Sequence, residues 1–133
     1  MPKEIIRLGA EWDGKMHFSN GVKAGDTIWV AGQGGLGKDG KVVGRADIEA
    51  QTRQALGNVQ EILAKAGATL ADVVKVTTFI TNRAPGMVAR YDRVFGEFFP
   101  TCCPTSTLVE VKSLVLSDML VEIEAVAVIG AGA

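Results

Sequence analysis

The chain has 133 residues, enough for the hydrophobic core of one domain but not of two. Hydrophobic residues make up 47% of the chain, which excludes a disordered chain, and its formal net charge is -1. A near-neutral protein lacks the long-range attraction on which polyanion binders rely, so nucleic acid is not an expected partner.

The N-terminal residues, the two cysteines and the single histidine predict an intracellular protein. No apolar run approaches the roughly 18 to 20 residues of a transmembrane helix, and the first residues include Glu4 and lack the apolar core of a signal peptide. We therefore expect a cytoplasmic protein without a membrane partner. Cys102 and Cys103 are adjacent and are expected to be free thiols, buried or half-buried. His17 is the only histidine, so we expect no metal site, and no cofactor is expected either.

The first half of the chain contains a predicted strand, a turn and a long helix. Residues 26–31 are typical of a strand, and Asp39-Gly40 predicts a tight turn, after which residues 41–43 are expected to pair. Asp47 is a favourable helix N-cap. Apolar residues then recur at helical spacing until Gly67, which is expected to end the helix.

The second half continues with a strand, a helix and two strands. Residues 72–81 alternate and are rich in Val and Thr, and Pro85 is expected in the first turn of a second helix. The apolar stripe of that helix comprises Met87, Tyr91, Val94, Phe95 and Phe98. Strands follow at about 106–111 and 119–129. This order predicts an α+β fold in one domain, residues 1–133, with two helices on one face of a sheet.

The last predicted strand indicates self-association. By period 2 one face carries Met119, Val121, Ile123, Ala125, Ala127 and Ile129. The other face is partly apolar too and carries Leu120, Glu122, Glu124, Val126 and Val128. Two helices can cover only one face of the sheet, so we expect a second subunit to cover the other face.

Two motifs for nucleotide binding and one arrangement for nucleophilic catalysis do not have the sequence context that they need. Residues 32–37 match Gly-x-Gly-x-x-Gly, but residues 38–41 predict a turn instead of the helix that a dinucleotide site needs. The same segment resembles a P-loop, but Asp39 occupies the position of the magnesium-binding Ser or Thr. A Ser-His-Asp or Cys-His arrangement would have to use His17, which lies in a polar segment typical of a surface turn.

Two segments near the C-terminus are the most specific part of the sequence. They are Pro104–Val111, Pro-Thr-Ser-Thr-Leu-Val-Glu-Val, and Val121–Ala125, Val-Glu-Ile-Glu-Ala. Together they resemble the signature of the Rid family (RidA/YjgF, also called endoribonuclease L-PSP), Pro-Ala-Arg-Ser-x-Val-Glu-Val followed by Ile-Glu-Ile-Glu-Ala. Residues 51–59 and 66–75 are also close to the family consensus, so the resemblance covers nearly the whole chain.

The resemblance implies a fold, an assembly and a reaction. The implied fold is chorismate-mutase-like, a single mixed sheet of about six strands with two helices on one face. It assembles as a homotrimer with a central β-barrel and with clefts between subunits. Archetypal members hydrolyse imines and enamines such as 2-aminoacrylate to keto acids and ammonia. In them an Arg pairs with the substrate carboxylate, and the Glu that matches Glu122 positions or activates the attacking water.

Most pocket residues that the resemblance implies are changed in this chain. The family's Arg is Ser106, and the small residue two positions later is Leu108. The Tyr of the family's Gly-Pro-Tyr-Ser segment is Phe18, and an Asn early in the second helix corresponds to Val88. Residues 31–33, Ala-Gly-Gln, correspond to the family's Ser-Gly-Gln. Only Glu122 remains of the polar set.

The predicted pocket is consequently apolar and surrounds one carboxylate. Its expected members besides catalytic Glu122 are the substrate-binding residues Phe18, Trp29, Ala31, Gly32, Val88, Ser106 and Leu108. Period 2 places Ser106 and Leu108 on one face of their strand, and Glu122 is expected to face them. A carboxylate desolvated in such a pocket acquires a raised pKa, which suits an acid or base. The alternative role for Glu122 is an ion pair at a subunit interface.

Three functional hypotheses follow. The first is a divergent hydrolase for bulkier or neutral imines, enamines or related C–N compounds, in which Ser106 hydrogen-bonds the substrate; 2-aminoacrylate is not expected to be its substrate. The second is a non-catalytic trimer that binds or responds to a small molecule. Ribonuclease activity is disfavoured because a basic, aromatic surface stripe is not evident. The sequence does not place any of the arginines that could replace the family's Arg, which are Arg53, Arg83, Arg90 and Arg93.

Overall fold

The computed structural model describes residues 2–101 and 103–133. Their strands are β1 (Glu4–Ile6), β2 (Gly21–Ala24), β3 (Thr27–Gly34), β4 (Val73–Ile80), β5 (Thr105–Glu110) and β6 (Val121–Val128). The two α-helices are α1 (Ile48–Lys65) and α2 (Met87–Phe98), and one turn of 3-10 helix, Leu70–Asp72, precedes β4. The predicted α+β fold, with a mixed sheet and two helices, is confirmed.

The six strands form one sheet in the order β1-β2-β3-β6-β4-β5. All neighbouring strands are antiparallel except β4 and β5, which are parallel. Helix α2 makes the crossover that a parallel pair requires. The chain thus places β6, which carries Glu122, in the sheet interior, and leaves β5, which carries Ser106, at an edge.

Helix α1 begins and ends where its sequence predicts. The carboxylate of Asp47 accepts hydrogen bonds from the backbone N–H groups of Glu49 and Ala50 at 3.0 and 3.1 Å, which satisfies two donors that the first turn leaves free. The helix ends at Lys65, and Gly67 follows with φ +86°, a left-handed conformation that glycine adopts without steric cost.

Helix α2 packs by aromatic side chains, and its start differs from the prediction. Tyr91 and Phe95 of the helix and its C-cap Phe99 follow one another, with ring centroids 5.7 and 4.6 Å apart. Pro85 lies outside the helix, because Gly86 is the N-cap and adopts a left-handed φ of 78°. The turn into α2 therefore uses the conformational freedom of Gly86.

The two faces of the sheet have different surroundings. Towards the helices, β6 presents residues that are at most 4% exposed, namely Val121, Ile123, Ala125 and Ala127, as the alternation predicts. They join Ile28, Val30, Leu56 and Ile62 in one continuous core. On the opposite side no helix of the described residues covers the sheet, and we call this side the open face.

The open face is apolar along one row of register partners. Ile5 pairs with Val22, Val22 with Trp29, and Trp29 with Val126. Trp29 remains 48% exposed and Ile5 41% exposed in the single chain. Such a contiguous row of large apolar side chains is typical of a surface that another chain covers.

The N-terminal strands β1 and β2 were not placed by the sequence patterns. β1 has three residues and β2 has four, too short to display a clear alternation. The predicted turn at Asp39-Gly40 is confirmed: Leu36 and Val42 form a single antiparallel bridge across it.

Candidate functional site

Glu122 is a half-buried carboxylate on the open face. Its register partners are Gly34 on β3 and Phe79 on β4, and Phe79 is paired in turn with Val109. Burial raises the pKa of Glu122 above its ordinary value, and the charge of Glu124 raises it further. No Lys or Arg within residues 2–101 and 103–133 forms an ion pair with Glu122.

Gly32 provides the space in which the Glu122 carboxyl group lies. A Cβ atom on Gly32 would be 2.8 Å from the carboxyl carbon and from Oε2 of Glu122. The regular register of β3 with β6 is interrupted between Val30 and Gln33, so Gly32 belongs to an irregular stretch of the strand. The side-chain amide of Gln33 donates to the carbonyl of Ala31 at 3.0 Å and so stabilises this stretch.

The other predicted residues of the open face lie at varying distances from Glu122. The Ala31 N–H donates to the Asn20 carbonyl at 2.8 Å, so the segment that contains Phe18 enters the sheet beside Ala31. Phe18 itself is 49% exposed. Trp29 pairs with Val126, which lies four residues from Glu122, or roughly 13 Å along the strand. Trp29 therefore shares the face of Glu122 but does not adjoin it.

Ser106 and Leu108 lie on the opposite face of the sheet. Ser106 pairs with Val76, and Leu108 pairs with Thr78, whose hydroxyl hydrogen-bonds Tyr91 of α2 at 2.6 Å. Register partners direct their side chains to the same side, so Ser106 and Leu108 point towards the helix layer. The prediction that they face Glu122 within one subunit is therefore wrong, because the sequence does not reveal the register of β5 on β4.

Val88 belongs to the same side as Ser106 and Leu108. It lies in the first turn of α2 and lines an open depression of about 510 Å³ beside the end of β5. Glu110 and Arg83 line the same depression, and Oε2 of Glu110 accepts a hydrogen bond from the Arg83 backbone N–H at 3.2 Å. The predicted pocket residues thus form two groups, an edge group around β5 and α2 and an open-face group around Glu122.

Sequence reasoning missed the position of Arg83 and the packing of Gly32 against Glu122. No local pattern distinguishes Arg83 from the other arginines, since only the crossover brings it to the end of β5. For Gly32, the signal was present as a glycine in the strand interior, which often marks a close approach.

The structure also tests the expectations for the cysteines, for His17 and for the glycine-rich segment. Cys103 is a free thiol as expected but is exposed instead of buried, because it lies on the surface before the edge strand β5. Cys102 lies outside the described residues. His17 lies in an exposed bend, as predicted. The glycine-rich segment leads into the bridge between Leu36 and Val42 and into no helix.

Within residues 2–101 and 103–133, no three His, Cys, Asp or Glu side chains cluster in a way that could hold a metal ion. In the same described residues, neither helix combines the length and apolarity needed to cross a membrane.

Comparisons with known proteins give a consistent assignment. Residues 10–129 match the model of the endoribonuclease L-PSP family. A RutC family protein of Pyrococcus horikoshii is 40% identical over 111 residues, which cover 83% of this chain and 85% of that protein.

Solved structures agree with this match. A YjgF-family protein of Mycobacterium tuberculosis is 34% identical, with a TM-score of 0.82 over 96% of this chain and 100% of the other. TdcF of E. coli, solved with bound serine, is 32% identical with the same TM-score over 94% of this chain and 98% of that one. The sheet order, the two helices and these matches together show that the chain belongs to the endoribonuclease L-PSP family, also called the Rid or YjgF family.

Proposed function

We propose that this protein is a divergent Rid-family hydrolase, which cleaves the carbon–nitrogen bond of a small imine, enamine or related compound with Glu122 as its general base. The observation that carries the proposal is the state of Glu122. It is a half-buried carboxylate with a raised pKa and with no ion pair among the described residues, and the absent side chain of Gly32 leaves it room. A carboxylate that is neutralised by no cation and is more basic than usual suits proton transfer.

The proposed reaction needs only water as a second reactant. Glu122 accepts a proton from water while the water oxygen bonds to the imine carbon and the C=N double bond becomes single. Glu122 returns this proton to the nitrogen, which gives a neutral carbinolamine. Glu122 then carries the hydroxyl proton of the carbinolamine to the nitrogen, the C–N bond breaks, and a carbonyl compound and ammonia are released. An imine and one water thus give a carbonyl compound and one ammonia, and Glu122 ends in its starting form.

A homotrimer with pockets between subunits fits this proposal. Within one subunit, Ser106, Leu108 and Val88 lie on the helix side of the sheet, whereas Glu122 lies on the open face. One substrate can contact both groups only if the second group comes from another copy of the chain. The exposed apolar row that includes Trp29 and Val126 is the kind of surface that such a copy would bury, and it supports a barrel of three sheets.

The proposed substrate differs from the small 2-imino acids of archetypal members. Loss of a desolvated charged partner costs a bound carboxylate about 2 to 5 kcal/mol. The hydroxyl of Ser106 would restore about 1 kcal/mol as a neutral hydrogen bond. Ser106 occupies less space than the family's Arg, and the apolar residues Leu108 and Val88 favour a substrate with an apolar part. The related E. coli TdcF has been solved with bound serine, which supports a small amine or imine as the ligand class.

The test is ammonia release from 2-aminoacrylate and 2-iminobutyrate, generated in situ, together with bulkier imines. We compare wild type with Ser106→Arg and Glu122→Gln. We expect wild type to favour bulkier imines, Ser106→Arg to gain activity on the two small imines, and Glu122→Gln to lose activity on all of them. Undiminished turnover by Glu122→Gln would refute the proposed role of this carboxylate.

The second candidate is a non-catalytic trimer that binds or responds to a small molecule. It is favoured by the apolar residues Phe18 and Val88 and by the absence of a charged side chain at position 106, which leave a pocket better suited to holding an apolar ligand than to orienting a charged one. A metabolite that copurifies with the protein, together with no ammonia release from any imine, would favour this candidate over the hydrolase.

A further inference from the structure

The loss of the family's Arg raises the question of which other cation can reach the pocket. Arg53 donates three hydrogen bonds to Glu97, the shortest being 2.8 Å. Arg90 and Arg93 both bind Glu49. These three guanidinium groups are held by carboxylates in the surface contact between α1 and α2.

Arg83 differs from the other three arginines. Its guanidinium forms no ion pair with any described residue, and its side chain lines the depression of about 510 Å³ that also contains Val88. Only its backbone N–H is engaged, by Oε2 of Glu110. The five N–H donors of the side chain are therefore available to a carboxylate.

Arg83 is displaced from the position of the missing Arg. It contacts Glu110, which is four residues beyond Ser106 along β5, or roughly 13 Å. A cation at this end of the pocket cannot hold a carboxylate attached directly to a reacting carbon beside Ser106. Because the long Arg83 side chain can span part of this distance, it is suitably placed for an anionic group a few bonds away from the reacting carbon.

We propose that Arg83 binds an anionic group of the substrate, so that the substrate class is an imine or enamine with a carboxylate several bonds away from the reacting C–N bond. This inference rests on the hydrolase function proposed above. Glu110 lines the same depression, so its negative charge repels an anionic ligand and weakens binding at Arg83.

The experiment compares two imines of equal length, 2-iminoglutarate and 2-iminopentanoate, formed in situ from glutamate and norvaline. They differ only in a distal carboxylate against a methyl group. Ammonia release is measured for wild type, Arg83→Met, Arg83→Lys and Glu110→Gln. Arg7→Met removes one exposed guanidinium elsewhere on the chain and controls for the change in net charge.

We expect wild type to prefer 2-iminoglutarate. Arg83→Met should raise KM for that substrate about 10- to 100-fold, the contribution of a charge-assisted hydrogen bond, while kcat changes little. Turnover of 2-iminopentanoate should be unaffected. Arg83→Lys should retain part of the preference, Glu110→Gln should strengthen it, and Arg7→Met should leave it unchanged.

The outcomes separate this inference from the function on which it rests. If wild type and Arg83→Met show the same preference while Glu122→Gln is inactive, the inference is wrong and the hydrolase proposal stands. If wild type converts neither imine, binding of glutarate by calorimetry decides the inference. Binding to wild type that Arg83→Met abolishes supports the anion site, and absence of binding to wild type overturns it.

Discussion

Replacement of Gly32 by alanine is a selective test of the role of Glu122. The added Cβ would lie 2.8 Å from the carboxyl carbon and from Oε2, and 2.9 Å from Cγ of Glu122. To reach the 3.4 Å at which ordinary van der Waals contact begins, the carboxyl group must retreat by about 0.6 Å. Gly32 does not have a left-handed φ, so alanine is acceptable to the backbone itself.

The expected magnitude follows from this displacement. Misplacement of a reacting group by about 1 Å can cost 10²-fold in rate, so a shift of about 0.6 Å is expected to lower kcat about 10- to 100-fold. That corresponds to about 1.4 to 2.7 kcal/mol in activation free energy. The atoms contacted belong to the end of a flexible side chain, so the free energy of unfolding should change by less than about 1 kcal/mol.

The assay is ammonia release from the best imine substrate, combined with urea unfolding of the same samples. Gly57→Ala is the matched control, because a Cβ there meets no atom within 4 Å; it should leave kcat unchanged and stabilise α1 by about 1 kcal/mol. In a Glu122→Ala background all three contacted atoms are absent, so Gly32→Ala should cause no further change in the free energy of unfolding. A Gly32→Ala variant with wild-type kcat would refute the argument that the position of this carboxylate limits the reaction.

Three further predictions concern pH, the core and assembly. Burial, and to a lesser degree the charge of Glu124, raise the pKa of Glu122, so activity should fall as pH drops through this raised pKa. In pH–rate profiles, Glu124→Gln should move this fall to lower pH. Because the pKa of Glu122 is higher in the folded state, its stabilising effect is complete below the unfolded-state pKa and is lost as pH rises through the folded-state pKa. The difference in unfolding free energy between wild type and Glu122→Gln should therefore change between these two pKa values. Tyr91→Phe should lower the free energy of unfolding in urea by about 1 to 3 kcal/mol, because it leaves the buried Thr78 hydroxyl without its partner. A second change, Thr78→Val, should recover part of this loss. Equal losses in the single and double variants would contradict this explanation. Trp29→Glu should convert an oligomer to a monomer in light scattering, and an unchanged mass would exclude the open face as the interface.

Much of the fold was predictable because its signals are local. Asp47 predicts the start of α1 through its side-chain oxygen, and Gly67 predicts the end through its left-handed φ, and neither depends on distant residues. The buried face of β6 was likewise predictable from alternation alone. By contrast, β1 and β2 are too short for a pattern and exist because β3 supplies their hydrogen-bonding partner.

The sequence proposed members for the candidate site but could not predict their arrangement. Sequence resemblance identified Glu122 and the replacement of the family's Arg by Ser106. It could not decide that Ser106 faces the helices while Glu122 faces away from them, because strand alternation fixes which residues share a face but not which face it is.

The sequence by itself determined the two helices, the longer strands and the types of side chain available to the pocket, because helix caps, alternation and side-chain chemistry are properties of neighbouring residues. Only the tertiary structure decided the pairing of β5 with β4, the contact of Gly32 with Glu122 and the position of Arg83 beside Glu110. These depend on register and on a crossover between segments distant in sequence. A shift of the strand register by one residue would change each of these contacts without changing any local sequence pattern.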